Sequence, residues 1–230
     1  VNRDQKILSF TDNRQDAALQ SGHFNDYLSV IKLRNAIFKS LELSTDNTLD
    51  HSTIATAMVK ALNLRQEEYA RQVAGFPLGI KDNEKALQDY LMYRAIYDLR
   101  KGWRVILPNL EQCALLEIDY VRLKENCGYE TGWKDLPLLN IMTPDERIEF
   151  IRTILDHFRK EYAIHSEKYL TKDAIRENDN IFREKLKLPW AFDKNENINV
   201  PYKLRIEKVK TSKEDFFKSI GYLSGFGRFI

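Results

Sequence analysis

Residues that break helices or bind metals are scarce in this chain. Its 230 residues include 9 glycines, 6 prolines, 2 cysteines and 4 histidines. Cys113 and Cys127 form no Cys-x-x-Cys pair and the histidines are scattered, so we expect neither a disulfide framework nor a zinc site. Reduced thiols fit a cytoplasmic location. No apolar run approaches ~18 residues, so we expect no membrane-spanning segment and no membrane partner.

The motifs of nucleotide hydrolysis are also missing. No Gly-x-x-x-x-Gly-Lys-Ser/Thr loop cradles phosphates, and no Asp-Glu-Ala-Asp or Asp-Glu-x-His tetrad follows an apolar strand to hold magnesium. The pair Gly227-Arg228 lacks the rest of a Gln-x-x-Gly-Arg-x-Gly-Arg motif. The paired carboxylates Asp145 and Glu146 suit the first turn of a helix better than acid–base chemistry. We therefore expect no catalytic residue, no metal site and no cofactor in this chain itself.

What the chain does contain favours helix. Charged residues make up 30% of it and hydrophobic residues 43%, which is enough for a core. The net charge of +2 is too small to indicate nucleic acid by itself. The sequence predicts a mainly α fold, a helical bundle with a few short strands. A strand over 103–107 before a helix over 110–126 fits either a winged-helix-like unit or a bundle with a connector.

Apolar spacing and capping residues place the elements. They predict one long helix or two abutting helices over 13–43, and further helices over 51–64, 65–73, 83–101, 110–126, 143–164, 172–188 and 211–223. The clearest start is Thr143, which is followed by Pro144 and, three residues on, by Glu146. Strands are predicted over 7–10 and 202–209, and a loop over 129–140.

A polar cluster lies where the first strand meets the first helix. Thr11, Asp12, Arg14 and Gln15 follow the apolar residues 7–10, and Asp12 can cap the helix with Gln15 three residues on. Open α/β sheets place ligands at such edges, and Arg14 could hold a backbone phosphate. The alternative is a surface ion pair of Arg14 with a neighbouring aspartate.

The same stretch resembles a known family. Residues 6–26 contain Ile-Leu-Ser-Phe-Thr-Asp-Asn-Arg-Gln-Asp-Ala-Ala, which is similar to motif IV of large bacterial superfamily 2 helicases of the DEAD/DEAH-box type. The resemblance implies a fragment of an ATP-dependent helicase that needs ATP and magnesium in the parent protein and acts on DNA or RNA. The partners would be that nucleic acid and the rest of the parent chain. Thr11, Asp12, Arg14 and Gln15 would face the nucleic-acid path or the cleft between the motor lobes.

This resemblance also suggests a domain division. Residues 1–44 would supply the opening strand and long helix of a second RecA-like lobe. Residues 45–188 would form a helical insertion domain, and residues 189–230 a linker, a short strand and a terminal helix.

Two further hypotheses concern surfaces. The densest basic stretch, Lys203, Arg205, Lys208 and Lys210, lies near aromatic residues and could bind a single strand, or it could be a solvated edge strand protected by charge. The 11 Tyr, 12 Phe and 3 Trp residues favour an alternative from another class, a helical protein–protein interaction module.

Overall fold

The chain is mainly helical, as predicted. A computed structural model describes residues 14–101, 108–161, 163–192, 203–205 and 217–219, with side chains from 27–99 and from the described part of 108–192. The helices in this part are α1 (Arg14–Leu43), α2 (Ile54–Leu62), α3 (Gln66–Tyr69), α4 (Pro77–Lys101), α5 (Leu123–Gly128), α6 (Pro137–Asn140), α7 (Pro144–Lys160) and α8 (Lys172–Lys185). A 3₁₀ turn, Glu130–Trp133, lies between α5 and α6.

Two short strands follow the helices. β1 (Lys203–Arg205) pairs in parallel with β2 (Phe217–Ser219). β1 lies within the strand predicted over 202–209, and β2 lies within the helix predicted over 211–223. The strands predicted over 7–10 and 103–107 lie outside the described residues.

The core forms where α1, α2, α4 and α8 meet. α2 carries Ile54, Met58 and Leu62 on one face, as its spacing of four predicts, and Met58 is fully buried. α4 contributes Leu87 and Leu91, both fully buried. Because α1 also packs its buried residues into this core, the second half of the long first helix is anchored in the helical bundle.

Aromatic rings close the core beside α8. The ring of Phe192 lies 5.6 Å from that of Tyr90 and 5.3 Å from that of Tyr93, in edge-to-face geometry. Phe182 of α8 approaches Tyr90 at 5.6 Å. Trp190 and Phe192 are buried here, so the described aromatic residues just before the basic stretch belong to the core and are not a stacking platform.

The helix starts follow the predicted capping rules. Thr143 Oγ1 accepts a hydrogen bond from the Glu146 amide, and Glu146 Oε2 accepts one from the Thr143 amide at 2.7 Å, which completes a capping box. Thr171 Oγ1 accepts a hydrogen bond from the Ala174 amide at the start of α8. Asn63 follows directly after α2 and adopts the left-handed conformation that commonly terminates a helix.

The helix predicted over 110–126 is largely wrong. Residues 109–122, here called the strap, form turns, a bend and irregular backbone, and helix appears only at α5. Ala114 and Arg122 have φ of 56° and 61°, which a right-handed helix does not allow. Asn109 and Gln112 exchange the two hydrogen bonds of a capping box, but only a single turn follows, from Asn109 to Cys113, before the left-handed Ala114 ends it. The loop predicted over 129–140 contains the 3₁₀ turn and α6.

Candidate functional site

The predicted junction lies at the edge of the described structure. The described part of α1 runs from Arg14, and Gln15 follows it in the helix. Thr11 and Asp12 are outside the described residues, as are the side chains of Arg14 and Gln15. The predicted helix is present from Arg14 onward, and the role of the four side chains stays a prediction.

The basic stretch is described only in part. The backbone of Lys203 and Arg205 lies in β1, opposite Phe217 and Ser219 of β2. Lys208 and Lys210 are outside the described residues. Within the described ranges, β1 packs chiefly against β2.

Helix α7 carries a group of charged residues that the sequence reasoning did not identify as a site. The apolar residues of its predicted stripe are only half-buried, and its two buried residues are arginines, Arg147 and Arg159. Together with Arg152 they bind the irregular chain between α4 and α7. We call these three side chains the α7 arginines.

Arg159 is the centre of a cluster of polar groups. Its Nη2 donates to both Glu111 carboxylate oxygens at 2.7 and 2.8 Å and to Asp156 at 3.0 Å. Its Nη1 donates to the Leu99 carbonyl at the end of α4, and the Tyr120 hydroxyl donates to Asp156 at 2.7 Å. The cluster therefore ties α4, the strap and α7 to one another.

The protonation states in this cluster follow from burial and pairing. Burial raises the pKa of Tyr120 to about 12, so its hydroxyl remains a donor at neutral pH. Burial also acts against the Asp156 carboxylate, but hydrogen bonds from Tyr120 and Arg159 outweigh it and lower the pKa of Asp156. Since both nearby carboxylates are bound to one guanidinium, they do not form a free acid–base pair.

Arg152 holds the other half of the strap near the surface. Its Nη2 donates to Asp119 at 2.6 Å, and its Nη1 donates to Glu117 and to the Ile118 carbonyl, each at 3.3 Å. The Arg152 side chain is 25% exposed, Asp119 64% and Glu117 85%. A hydrogen bond from the Tyr120 amide, helped by Arg152 and by the charge of Lys124, lowers the pKa of Asp119.

The Arg147 side chain binds carbonyl groups at the ends of two helices, α5 and α6. Its guanidinium donates to the Cys127 carbonyl of α5 at 3.1 Å and to the Leu139 carbonyl of α6 at 2.7 Å, both in the last turns of these helices. It also forms a two-point ion pair with Glu130 at 2.9 and 3.0 Å. The planar fork of arginine suits this arrangement, which a lysine could not reproduce.

In the described part of the chain, possible metal ligands and cavities do not indicate a further functional site. No group of three or more His, Cys, Asp or Glu residues there could hold a metal ion. A shallow hollow of about 450 Å³ lies between the end of α1 and the start of α2 and is lined mainly by hydroxyl side chains and Lys60. Several of those hydroxyls already donate to the backbone, as Ser44 does to the Leu41 carbonyl at 2.8 Å. None of the helices described is both long enough and apolar enough to cross a bilayer.

Comparison with known proteins gives no relative: no family model, no curated protein and no solved structure matches this chain.

Proposed function

We propose that this chain is part of an ATP-dependent nucleic-acid helicase. It would supply the opening strand and helix of the second, RecA-like motor lobe together with an accessory helical domain. The observation that carries the proposal is the motif IV-like string of residues 6–26. In this role Thr11, Asp12, Arg14 and Gln15 would face nucleic acid or the interlobe cleft. The parent chain would bind ATP and magnesium.

The course of α1 supports this proposal. A motor-lobe helix that also carries an accessory domain needs one part near the junction and another part fixed in the domain. α1 is 30 residues long and begins beside the polar cluster. Its second half carries Leu33, Ala36 and Ile37 into the bundle core. A rotation of the lobe would then be passed to the bundle by one continuous helix of about 45 Å.

A second candidate, a helical protein–protein interaction module, has its own observation. Four apolar side chains around α6 face solvent: Tyr129 is 66% exposed, Leu136 49%, Leu138 55% and Ile141 80%. Neighbouring apolar side chains with such exposure are typical of interaction sites. The winged-helix-like unit, a further grip on duplex, belongs to the first proposal only, and it lacks most of its predicted helix because residues 109–122 are not helical.

A salt titration separates the two candidates. Fluorescence anisotropy would follow a labelled 20-nucleotide DNA and the matching RNA as the full chain is added at 50–200 mM salt. The helicase proposal expects binding whose logarithm falls linearly with the logarithm of salt concentration. Absence of binding at the lowest salt would contradict a nucleic-acid role for this chain. The interaction module would be supported by a stable complex with the parent's remaining domains that I141D abolishes and the surface variant R176A does not.

A further inference from the structure

The last turn of α4 is bound by an arginine of α1. Arg34 donates to both carboxylate oxygens of Asp98, at 2.9 and 3.0 Å, and to the Pro108 carbonyl at 2.6 Å. The Asp98 side chain is fully buried, and the buried Asn109 side chain donates to the Asp98 carbonyl at 3.4 Å. Two-point pairing of a guanidinium with a carboxylate fixes orientation as well as position. Arg34 therefore joins α1 to the end of α4 and to the chain just before the strap.

An arginine of α7 binds the same two pieces of chain. Arg159 donates to the carbonyl of Leu99, the residue after Asp98, and to both carboxylate oxygens of Glu111 in the strap. Each of the two arginines thus connects the end of α4 with the chain that begins at Pro108. Because their binding points on α4 are consecutive residues, release of one guanidinium should loosen the segment that the other one holds.

α1 and α7 differ in how they are attached to the bundle. α7 packs beside α4, yet none of its described side chains belongs to the apolar core of the bundle. α1, by contrast, is anchored in that core through Leu33, Ala36 and Ile37. Arg34 lies between these residues on one continuous helix, so it must follow any movement of α1.

We infer that Arg34 and Arg159 act as one clamp, which couples the position of α1 to that of α7. This inference rests on the proposed function, in which α1 is the helix that receives movement from the motor lobe. A shift of α1 moves Asp98 and Pro108 through Arg34, and the same pieces of chain then displace Arg159 and α7. Both arginines are positioning residues and need not touch nucleic acid or nucleotide. The end of α7 that binds α5 and α6 through Arg147 would move with the rest of the helix.

Hydrogen exchange of the full chain distinguishes a clamp from an ordinary buried ion pair. In R34M we expect amides of the strap and of the last two turns of α7 to exchange about tenfold faster, although Arg159 and not Arg34 binds α7. Amides of α2, which packs directly against α1, should be unchanged. The control is K32M, because Lys32 is exposed on the same helix. D98N, which keeps the side-chain shape and removes the charge, should give the same pattern more weakly, and it replaces R34M if that variant does not fold.

A double-variant cycle measures the coupling between the two arginines. We expect R34M/R159M to lower the melting temperature by clearly less than the sum of the two single falls, since the first change already releases the shared segment. The reference pair is R34M/R147M, which should be additive because Arg147 binds the ends of α5 and α6.

Each outcome bears on the clamp or on the proposed function. Additive falls for R34M/R159M, or exchange in α7 that R34M and D98N leave unchanged, would refute the clamp and leave the proposed function standing. Exchange that rises as much in α2 as in α7 would also refute it, because the effect would then be a general loosening around α1. Both expected effects in a chain that binds no DNA or RNA at the lowest salt would support the clamp and contradict the proposed function.

Discussion

Replacing Arg159 by methionine is the most direct test of how the strap is attached. Methionine has a similar length and no charge, so the change removes the donors while keeping much of the side-chain volume. The variant R159M leaves the Glu111 and Asp156 carboxylates, 20% and 26% exposed, without their shared cation. It also removes the donor to the Leu99 carbonyl at the end of α4.

The expected loss is large for a single side chain. Removing one partner of a buried ion pair costs ~3–5 kcal/mol, because the other charge stays buried and unpaired. Glu111 and Asp156 keep some contact with water, so we expect a value near the lower limit, about 3 kcal/mol. In a protein of this size each kcal/mol lowers the melting temperature by roughly 2–4 °C, which gives a fall of roughly 6–12 °C.

Thermal unfolding followed by circular dichroism at pH 7 measures this effect. The control is R176M, since Arg176 is exposed on α8 and its loss should change stability by less than about 0.5 kcal/mol. R159K should fall between the two, because one ammonium group cannot serve two carboxylates and a carbonyl together. A melting temperature for R159M within about 2 °C of R176M would refute the reasoning, since it would mean that the cluster contributes no more than a surface pair.

The difference in stability between wild type and R159M depends on pH, and Asp156 determines the sign of that dependence. The pKa of Asp156 is lowered in the folded chain. Its contribution to the free energy of unfolding is therefore complete above the unfolded pKa of ~3.9 and is lost as the pH falls through the lower folded pKa. The difference between wild type and R159M should therefore persist down to about pH 4 and shrink below it. A difference that grows on acidification would show that the ion pairs are not its cause.

Three further predictions concern the other sites. R147M should speed hydrogen exchange of amides in 123–142, where Arg147 binds the ends of α5 and α6, and leave α4 unchanged; equal effects in both regions would contradict a local role. In the parent protein, R14A should lower nucleic-acid-stimulated ATPase roughly ten- to a hundredfold with less than about 1 kcal/mol of lost stability; a lower melting temperature at unchanged specific activity would make Arg14 structural. The chain alone should show no magnesium-dependent ATPase above background, and a turnover that survives repurification would overturn this.

The helices that sequence reasoning placed correctly are those in which local signals agree with one another. α7 has Thr143 at its cap, Pro144 in its first turn and Glu146 completing the box, and the structure contains each of these contacts. α2 and α8 likewise combine a regular apolar spacing with a definite start or end. In such segments capping, propensity and burial favour the same conformation, so a single sequence is sufficient to predict the helix.

The strap was predicted wrongly because its decisive interactions are distant in sequence. Leu115, Ile118 and Leu123 have a spacing close to that of a helix, yet Arg159 and Arg152 bind this stretch from more than thirty positions away in the sequence. Propensities and spacing rules consider only residues that are near one another in the sequence, so they cannot predict such contacts. One signal was available: Arg152, Asp156 and Arg159 are four and three residues apart and so lie on one helical face.

The two parts of the described fold are therefore stabilised by different physics. α1, α2, α4 and α8 bury mainly aliphatic and aromatic side chains, whose burial depends on area and little on salt, together with an ion pair between Arg34 and the buried Asp98. α7 instead buries two arginines, and much of the irregular chain before it is attached through charged hydrogen bonds. Such contacts require correct geometry and are lost as a group when one donor goes. A segment held in this way is therefore sensitive to the loss of a single arginine and to protonation of its carboxylate partners, which an aliphatic contact of the same area is not.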